Sequence, residues 1–195
     1  MNPPERDIIA VSLKASSDIK KKMIDTCSTD IIEAVDLIVP CFQNGNKVLL
    51  CGNGGSAADA QHIATEFVIR LSPGKNRPAL PAIALTTDSS YLTAGSNDLG
   101  YENVFSRAVE AFGNKGDVLI AISTSGNSPN IINAVRQATS RQLITIGLLG
   151  GTGGKLLPLC THAITIPTTD TQRIQEGHIT AAHIICQLVE KRMFP

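Results

Sequence analysis

Two short loops carry the residue types best suited to chemistry. Cys51-Gly-Asn-Gly-Gly-Ser56 follows the apolar run Val48-Leu-Leu50, and Ser123-Thr-Ser-Gly-Asn-Ser128 follows Val118-Leu-Ile-Ala-Ile122. Each leads into a helix-like stretch opened by a serine. Glycines let backbone N–H groups approach a ligand, hydroxyls add donors, and a helix N-terminus adds roughly half a positive charge. This combination suits the phosphate of a small ligand. A strand-to-helix turn by itself also favours Gly and Ser, but the hydroxyls of Ser123, Thr124 and Ser125 exceed what a turn needs. Neither loop is a nucleotide fingerprint. No third glycine completes G-x-G-x-x-G after Gly52, and no G-x-x-x-x-G-K-[ST] run occurs.

Acid–base chemistry has fewer candidates. His62 and Glu66 stand four residues apart after the first loop, which places both on one face of a helix. They lie among Ile63, Ala64, Phe67 and Val68, so one side of that helix is buried. Taken alone, the pair reads as a helical His–Glu hydrogen bond. Near the C-terminus stand Gln175, His178 and His183, where a lone histidine is more often a packing residue. Asn97 and Asp98, within Ala94-Gly-Ser-Asn-Asp-Leu-Gly100, are expected in a loop with groups for sugar hydroxyls, although an Asx turn would account for either one.

The elements that must position these groups follow from hydropathy. Short apolar runs at 47–51, 82–85, 117–122, 143–148 and 163–166 are separated by helix-length segments, which predicts parallel strands with helices on both faces. Residues 1–45 have no glycine before Gly45 and read as largely helical, with Ile31, Ile32, Val35, Leu37 and Ile38 as an apolar stripe and Pro40 near its end or at a kink. Ser56-Ala-Ala-Asp59 has capping-box spacing. Ser128-Pro129 places an N-cap before proline at the first helical position, and Asp170 or Thr171 caps a final helix over about 173–191. Ligands of an open parallel sheet bind at the carboxyl ends of its strands, so both loops are expected on one edge, in one site.

Composition narrows the class. The 195 residues hold 17 Lys+Arg and 17 Asp+Glu, so no net charge draws the chain to nucleic acid or to a membrane surface. No apolar run reaches spanning length. Met-Asn-Pro-Pro-Glu-Arg-Asp has neither a basic n-region nor an apolar h-region, so no signal peptide is expected. Cysteines 27, 41, 51, 160 and 186 lack C-x-x-C spacing and read as reduced core thiols of a cytoplasmic protein, with Cys51 bordering the first loop. One domain over 1–195 is expected.

Leu50-Cys-Gly-Asn-Gly-Gly-Ser-Ala-Ala-Asp-Ala-Gln-His62, Ser123-Thr-Ser-Gly-Asn-Ser128 and Arg173-Ile-Gln-Glu-Gly-His178 resemble the sugar isomerase (SIS) domain, and more closely the phosphoheptose isomerases within it. The resemblance runs from about Asn44 to the C-terminus. It implies a flavodoxin-like three-layer αβα sandwich with a five-stranded parallel sheet plus N-terminal helices. It also implies a homotetramer with active sites between subunits, residues 1–45 serving packing and oligomerisation. Ser123, Thr124, Ser125 and Ser128 would grip the phosphate. Asn53, Gly54, Gly55, Ser56, Glu66, Asn97, Asp98 and Gln175 would contact the sugar. Some members bind zinc through residues matching His62, Glu66, Gln175 and His183, an unusual set because glutamine is a rare zinc ligand.

The implied reaction converts sedoheptulose 7-phosphate to D-glycero-D-manno-heptose 7-phosphate, the first step toward ADP-heptose and the lipopolysaccharide core. Glu66 would be the C–H base and His183 its acid–base partner. Zinc, or hydrogen bonds from neighbours, would stabilise the developing enediolate. His183 is distant in sequence from Glu66, and its supply across a subunit interface is expected. SIS domains also serve as sugar-phosphate sensors and as a DnaA-binding initiator-associating protein, which would keep the loops without Glu66 and His183. A tandem synthase-type isomerase unit needs two such domains, and this chain has room for one. Gln172 stands where certain members carry an acidic residue.

Overall fold

A computed structural model describes residues 4–74 and 76–195; the first three residues of the expected N-terminal helical segment lie outside them. Five strands form one parallel sheet: β1 (Val48–Gly52), β2 (Ala82–Ala84), β3 (Val118–Ser123), β4 (Ile144–Gly150) and β5 (His162–Ile166). Their order is β2-β1-β3-β4-β5. The helices are α1 (Glu5–Gln43), α2 (Gly55–Val68), α3 (Ser89–Leu99), α4 (Val104–Phe112), α5 (Pro129–Ser140) and α6 (Thr171–Met193).

Strand residues alternate between two cores, as a sheet covered on both faces requires. Val48, Leu50, Ile120, Ile122 and Ile164 face α1, α2 and α6. Leu49, Cys51, Leu119, Ala121 and Leu149 face α4 and α5. The expected three-layer αβα sandwich is present.

Local expectations change in several places. The N-terminal segment is one 39-residue helix, not several: no glycine interrupts it, and Pro40 falls so near its end that the missing N–H breaks little. From Met23 onward its buried positions recur at helical spacing through Ile38, whereas Ile8, Ile9, Val11 and Leu13 are exposed. In the stripe, Ile32 faces solvent. Ser56 does not open a capping box. Gly54, at φ +54°, takes the N-cap position, and its carbonyl accepts from Ala57 and Ala58, so Ser56 already lies inside the first turn. Asn97 and Asp98 lie in α3 rather than a loop; Asp88 caps that helix, its Oδ1 accepting from the N–H groups of Ser90 and Tyr91 at 2.9 and 3.1 Å. Of the two caps expected for α6, Asp170 is the one used, its side chain accepting from the Gln172 N–H.

Candidate active site at the strand switch point

The strand order reverses between β1 and β3, and there the two loops leave the sheet side by side: Gly52 pairs in register with Ile122. Ligands of doubly wound sheets bind at such a point. The expectation that both loops share an edge is met, and two amides lock them together. Asn53 Nδ2 donates to Asn130 Oδ1 at 2.9 Å, and Asn130 Nδ2 donates to Asn53 Oδ1 at 2.8 Å. Tyr101 donates its hydroxyl to the same Asn53 oxygen at 2.8 Å. Asn130 is buried and also accepts from the Ile131 N–H at 3.0 Å.

The second loop is shaped by its own hydroxyls. Ser123 Oγ accepts from the Gly126 N–H at 3.2 Å and lies 3.2 Å from Ser128 Oγ. Ser128 holds the N-cap position of α5 with Pro129 behind it, but its hydroxyl bonds Ser123 rather than the helix. Ser125 Oγ accepts from the Asn127 N–H at 3.2 Å. Gly126, at φ +64°, lies against the Gly153 carbonyl with no room for a Cβ. Thr124 and Ser125 open into a cavity of about 230 Å³ whose other walls include Gly151, Thr152, Thr169 and Thr171. It is rich in hydroxyls and backbone amides, and suits a phosphate.

The acid–base groups gather between α2 and α6. His62 Nε2 lies 3.1 Å from Glu66 Oε1 and 3.2 Å from His183 Nε2. The imidazole rings meet edge to face with centroids 4.9 Å apart. One chain therefore supplies all three groups, which corrects the expectation that His183 comes from across an interface. Gln175 stands two turns before His183, and its amide packs on Gly55, where a Cβ would collide with it. Asp59, one turn before His62, has a buried Oδ2 without a hydrogen-bond partner. Burial raises its carboxyl above the usual range, partly opposed by His62 and His183.

The donor set fits a divalent cation. Two facing Nε2 atoms cannot both carry hydrogens toward each other, and a carboxylate oxygen completes the trio, with all three ligand atoms within 4.8 Å of one another. Two histidines and a glutamate are a common zinc set.

Other expected residues lie apart from this centre. Asn97 donates to the Asp98 carboxylate at 2.7 Å, and Asp98 borders a separate cavity beside Tyr91 and Arg107. His178 is a buried packing residue whose Nε2 lies 2.9 Å from the Leu149 carbonyl; burial pushes it down to about 4. Cys51 is buried, and burial pushes its thiol up to about 12. All five cysteines are free. Sequence reasoning missed Asn130, Tyr101 and Gly150-Gly151-Thr152-Gly153-Gly154. The last was readable as a third glycine-rich loop after a strand.

The SIS domain family matches residues 13–150. A phosphoheptose isomerase of Roseiflexus sp. (strain RS-1) is 50% identical over 182 residues, covering 93% of this chain and 91% of the relative. A solved phosphoheptose isomerase from Neisseria gonorrhoeae superposes with a TM-score of 0.90 at 40% identity, covering 96% of this chain and all of that one. One from Francisella tularensis gives 0.93 at 34% identity, over 97% of this chain and 100% of its own. The chain belongs to the SIS domain family and, within it, to the phosphoheptose isomerases.

Proposed function

We propose that this isomerase interconverts sedoheptulose 7-phosphate and D-glycero-D-manno-heptose 7-phosphate, opening ADP-heptose and lipopolysaccharide-core synthesis in the cytoplasm. The observation that carries the reading is the His62–Glu66–His183 trio on a fold whose second loop is built for a phosphate. Ser123, Thr124, Ser125 and Ser128 hold the phosphate; Asn53, Gly54, Gly55 and Ser56 shape the first loop against the sugar. Gln175 contacts sugar hydroxyls from the rim.

Glu66 removes a proton from C1 of the ketose. The electron pair forms the C1–C2 double bond of an enediol, and His183 delivers a proton to the C2 oxygen. Glu66 then returns a proton to C2, while the C1 hydroxyl gives its own back to His183 and becomes the aldehyde. Positioned acid and base groups contribute about 10²–10⁴-fold each. His62, Glu66 and His183, with Gln175 as a fourth ligand, would hold a zinc ion, which when bound supplies positive charge beside the developing oxyanion; the ligand and acid–base roles of Glu66 and His183 then belong to different steps. Loss of Glu66 and His183 would be expected of a sensor or initiator-associating protein, and both are present.

The working form is a homotetramer with the site between subunits. Ile8, Ile9, Val11 and Leu13 are apolar side chains exposed on the outer half of α1, suited to cover by a second copy. Thr171, in the phosphate cavity, and His183 stand twelve residues apart on α6, about 18 Å along its axis. Joining the phosphate pocket of one copy to the acid–base trio of a neighbour shortens that span. The reading is tested by incubating the protein with sedoheptulose 7-phosphate in D₂O, with and without chelator. Aldose product deuterated at C2 is expected; absence of any conversion with zinc supplied overturns it.

A further inference from the structure

Glu66 lies two residues before the end of α2 (Gly55–Val68). Carbonyls in the last turn of a helix lack partners within it, so α2 does not itself satisfy the Glu66 carbonyl. Arg77 supplies the missing donors. Its Nη2 donates to the Glu66 carbonyl at 2.7 Å, and its Nη1 to the carbonyls of Phe67 and Pro78 at 2.8 and 3.0 Å. Its Nε donates to Glu190 Oε1 at 2.8 Å. The same oxygen accepts from the Leu71 N–H at 2.9 Å.

The Arg77 and Glu190 side chains are only 1% and 2% exposed. Glu190 stands on α6, seven residues beyond His183. Arg77 therefore ties the end of the helix bearing Glu66 to the helix bearing His183. A guanidinium offers five donors in a fixed plane, which reaches three carbonyls and a carboxylate together; an ammonium cannot. Its charge also lies at the C-terminus of α2, the favourable end for a cation. Burial by itself would raise the Glu190 carboxyl, but Arg77 and the Leu71 N–H hold it below its ordinary value.

We propose that Arg77, anchored by Glu190, is a positioning residue for the isomerisation: it fixes the Glu66 peptide so that the carboxylate faces His62 and His183. The inference rests on Glu66 as the base. Its test uses the full chain with R77K and E190Q, measuring kcat, KM, thermal midpoint and zinc affinity by competition with a chromophoric chelator. R77K keeps a charge for Glu190 but loses the fork. It is expected to lower kcat and weaken zinc binding by about 10–100-fold, the usual effect of an outer-shell partner, with KM for sedoheptulose 7-phosphate within about twofold of wild type. E190Q keeps the carbonyl contacts but loosens the anchor, and is expected to lower kcat by roughly tenfold. If R77K does not fold, E190Q decides. A lowered midpoint with wild-type kcat and zinc affinity in every folded variant means stability alone, and overturns the inference. Wild-type protein inert toward the sugar phosphate overturns the underlying reading, and the inference with it.

Discussion

The Nε2 atoms of His62 and His183 face each other at 3.2 Å, brought from positions 121 residues apart by the packing of α2 against α6. Two imidazoles aimed nitrogen to nitrogen either share one proton in an N–H···N bond or direct both lone pairs at a shared cation, and the Glu66 carboxylate beside them favours the cation. The protein is therefore expected to bind one zinc ion per chain. Removing His183 as alanine should weaken zinc binding by more than the about 10–100-fold that an outer-shell partner costs. Affinity should also fall at acidic pH, because histidine binds metal only when neutral. Isothermal titration of the chelator-treated protein checks both, and wild-type affinity in the alanine variant would remove His183 from the set.

Glu66→Gln keeps the shape of the side chain, and can still hydrogen-bond His62, but cannot take a proton from carbon. Turnover should fall by about two to four orders of magnitude, the range for a positioned general base, with KM little changed. Single-turnover measurements separate this from slow product release. A variant with near-normal kcat would leave His183 as the only base.

The sheet was legible in sequence because strands buried on both faces read as continuous apolar runs between helix-length segments. Both loops were legible because glycine and hydroxyl residues cluster at strand ends. Helix α3 was not, because Gly95, Asn97, Asp98 and Gly100 carry turn composition; its one clear signal was Asp88, a good N-cap residue. The Asn53–Asn130 and Arg77–Glu190 pairs join residues 77 and 113 positions apart. No local period encodes such contacts, so they emerge only with the fold. His62 and Glu66 were visible as a helical pair, whereas their meeting with His183 within one chain needed α2 and α6 side by side.

Asn130 should matter for the sugar end of the site although it is buried. It satisfies both ends of the Asn53 amide as well as the Ile131 N–H. Asn130→Ala leaves Asn53 Nδ2 without its acceptor, at a cost of about 1–3 kcal/mol if it stays buried. Asn53 Oδ1 keeps the Tyr101 hydroxyl, and the Ile131 N–H keeps the Ser128 carbonyl. Asn130→Asp is nearly isosteric but turns an acceptor toward Asn53 Oδ1. Both variants should raise KM, the aspartate more than its modest volume change would explain. Equal KM values for all three proteins would show that Asn53 needs no partner to shape the first loop.

Acid sensitivity should trace in part to His178. Burial holds its folded-state value down at about 4, below the ordinary value of 6.5, despite its contact with the Leu149 carbonyl. Between those values the unfolded chain binds the extra proton, so stability falls as pH drops through this window and is fully present above it. The loss should reach about 2 kcal/mol near pH 5 and about 3 kcal/mol near pH 4. His178→Gln keeps an N–H for Leu149 without a titrating ring. Urea unfolding at pH 7.5, 5 and 4 should show a shallower decline for this variant, and parallel declines would assign the sensitivity elsewhere.

Assembly can be tested through complementation, because the structure fixes which groups travel together. His62, Glu66 and His183 belong to one chain, so mixing Glu66→Gln with His183→Ala subunits restores no intact trio, and activity should stay low. The phosphate loop is separate: Ser123 ends β3 and Ser125 follows it, on elements other than the α2 and α6 that carry the trio. Their double alanine variant should mainly raise KM, since each lost hydrogen bond to a charged group is worth about 1.5–3 kcal/mol. If the phosphate pocket of one copy works with the trio of its neighbour, mixed tetramers of this variant and Glu66→Gln contain sites with both halves intact. Activity at low substrate should then rise above either parent after dissociation and reassembly. No rise, with mixed tetramers confirmed by native mass spectrometry, would place the phosphate pocket and the trio of each site on the same chain.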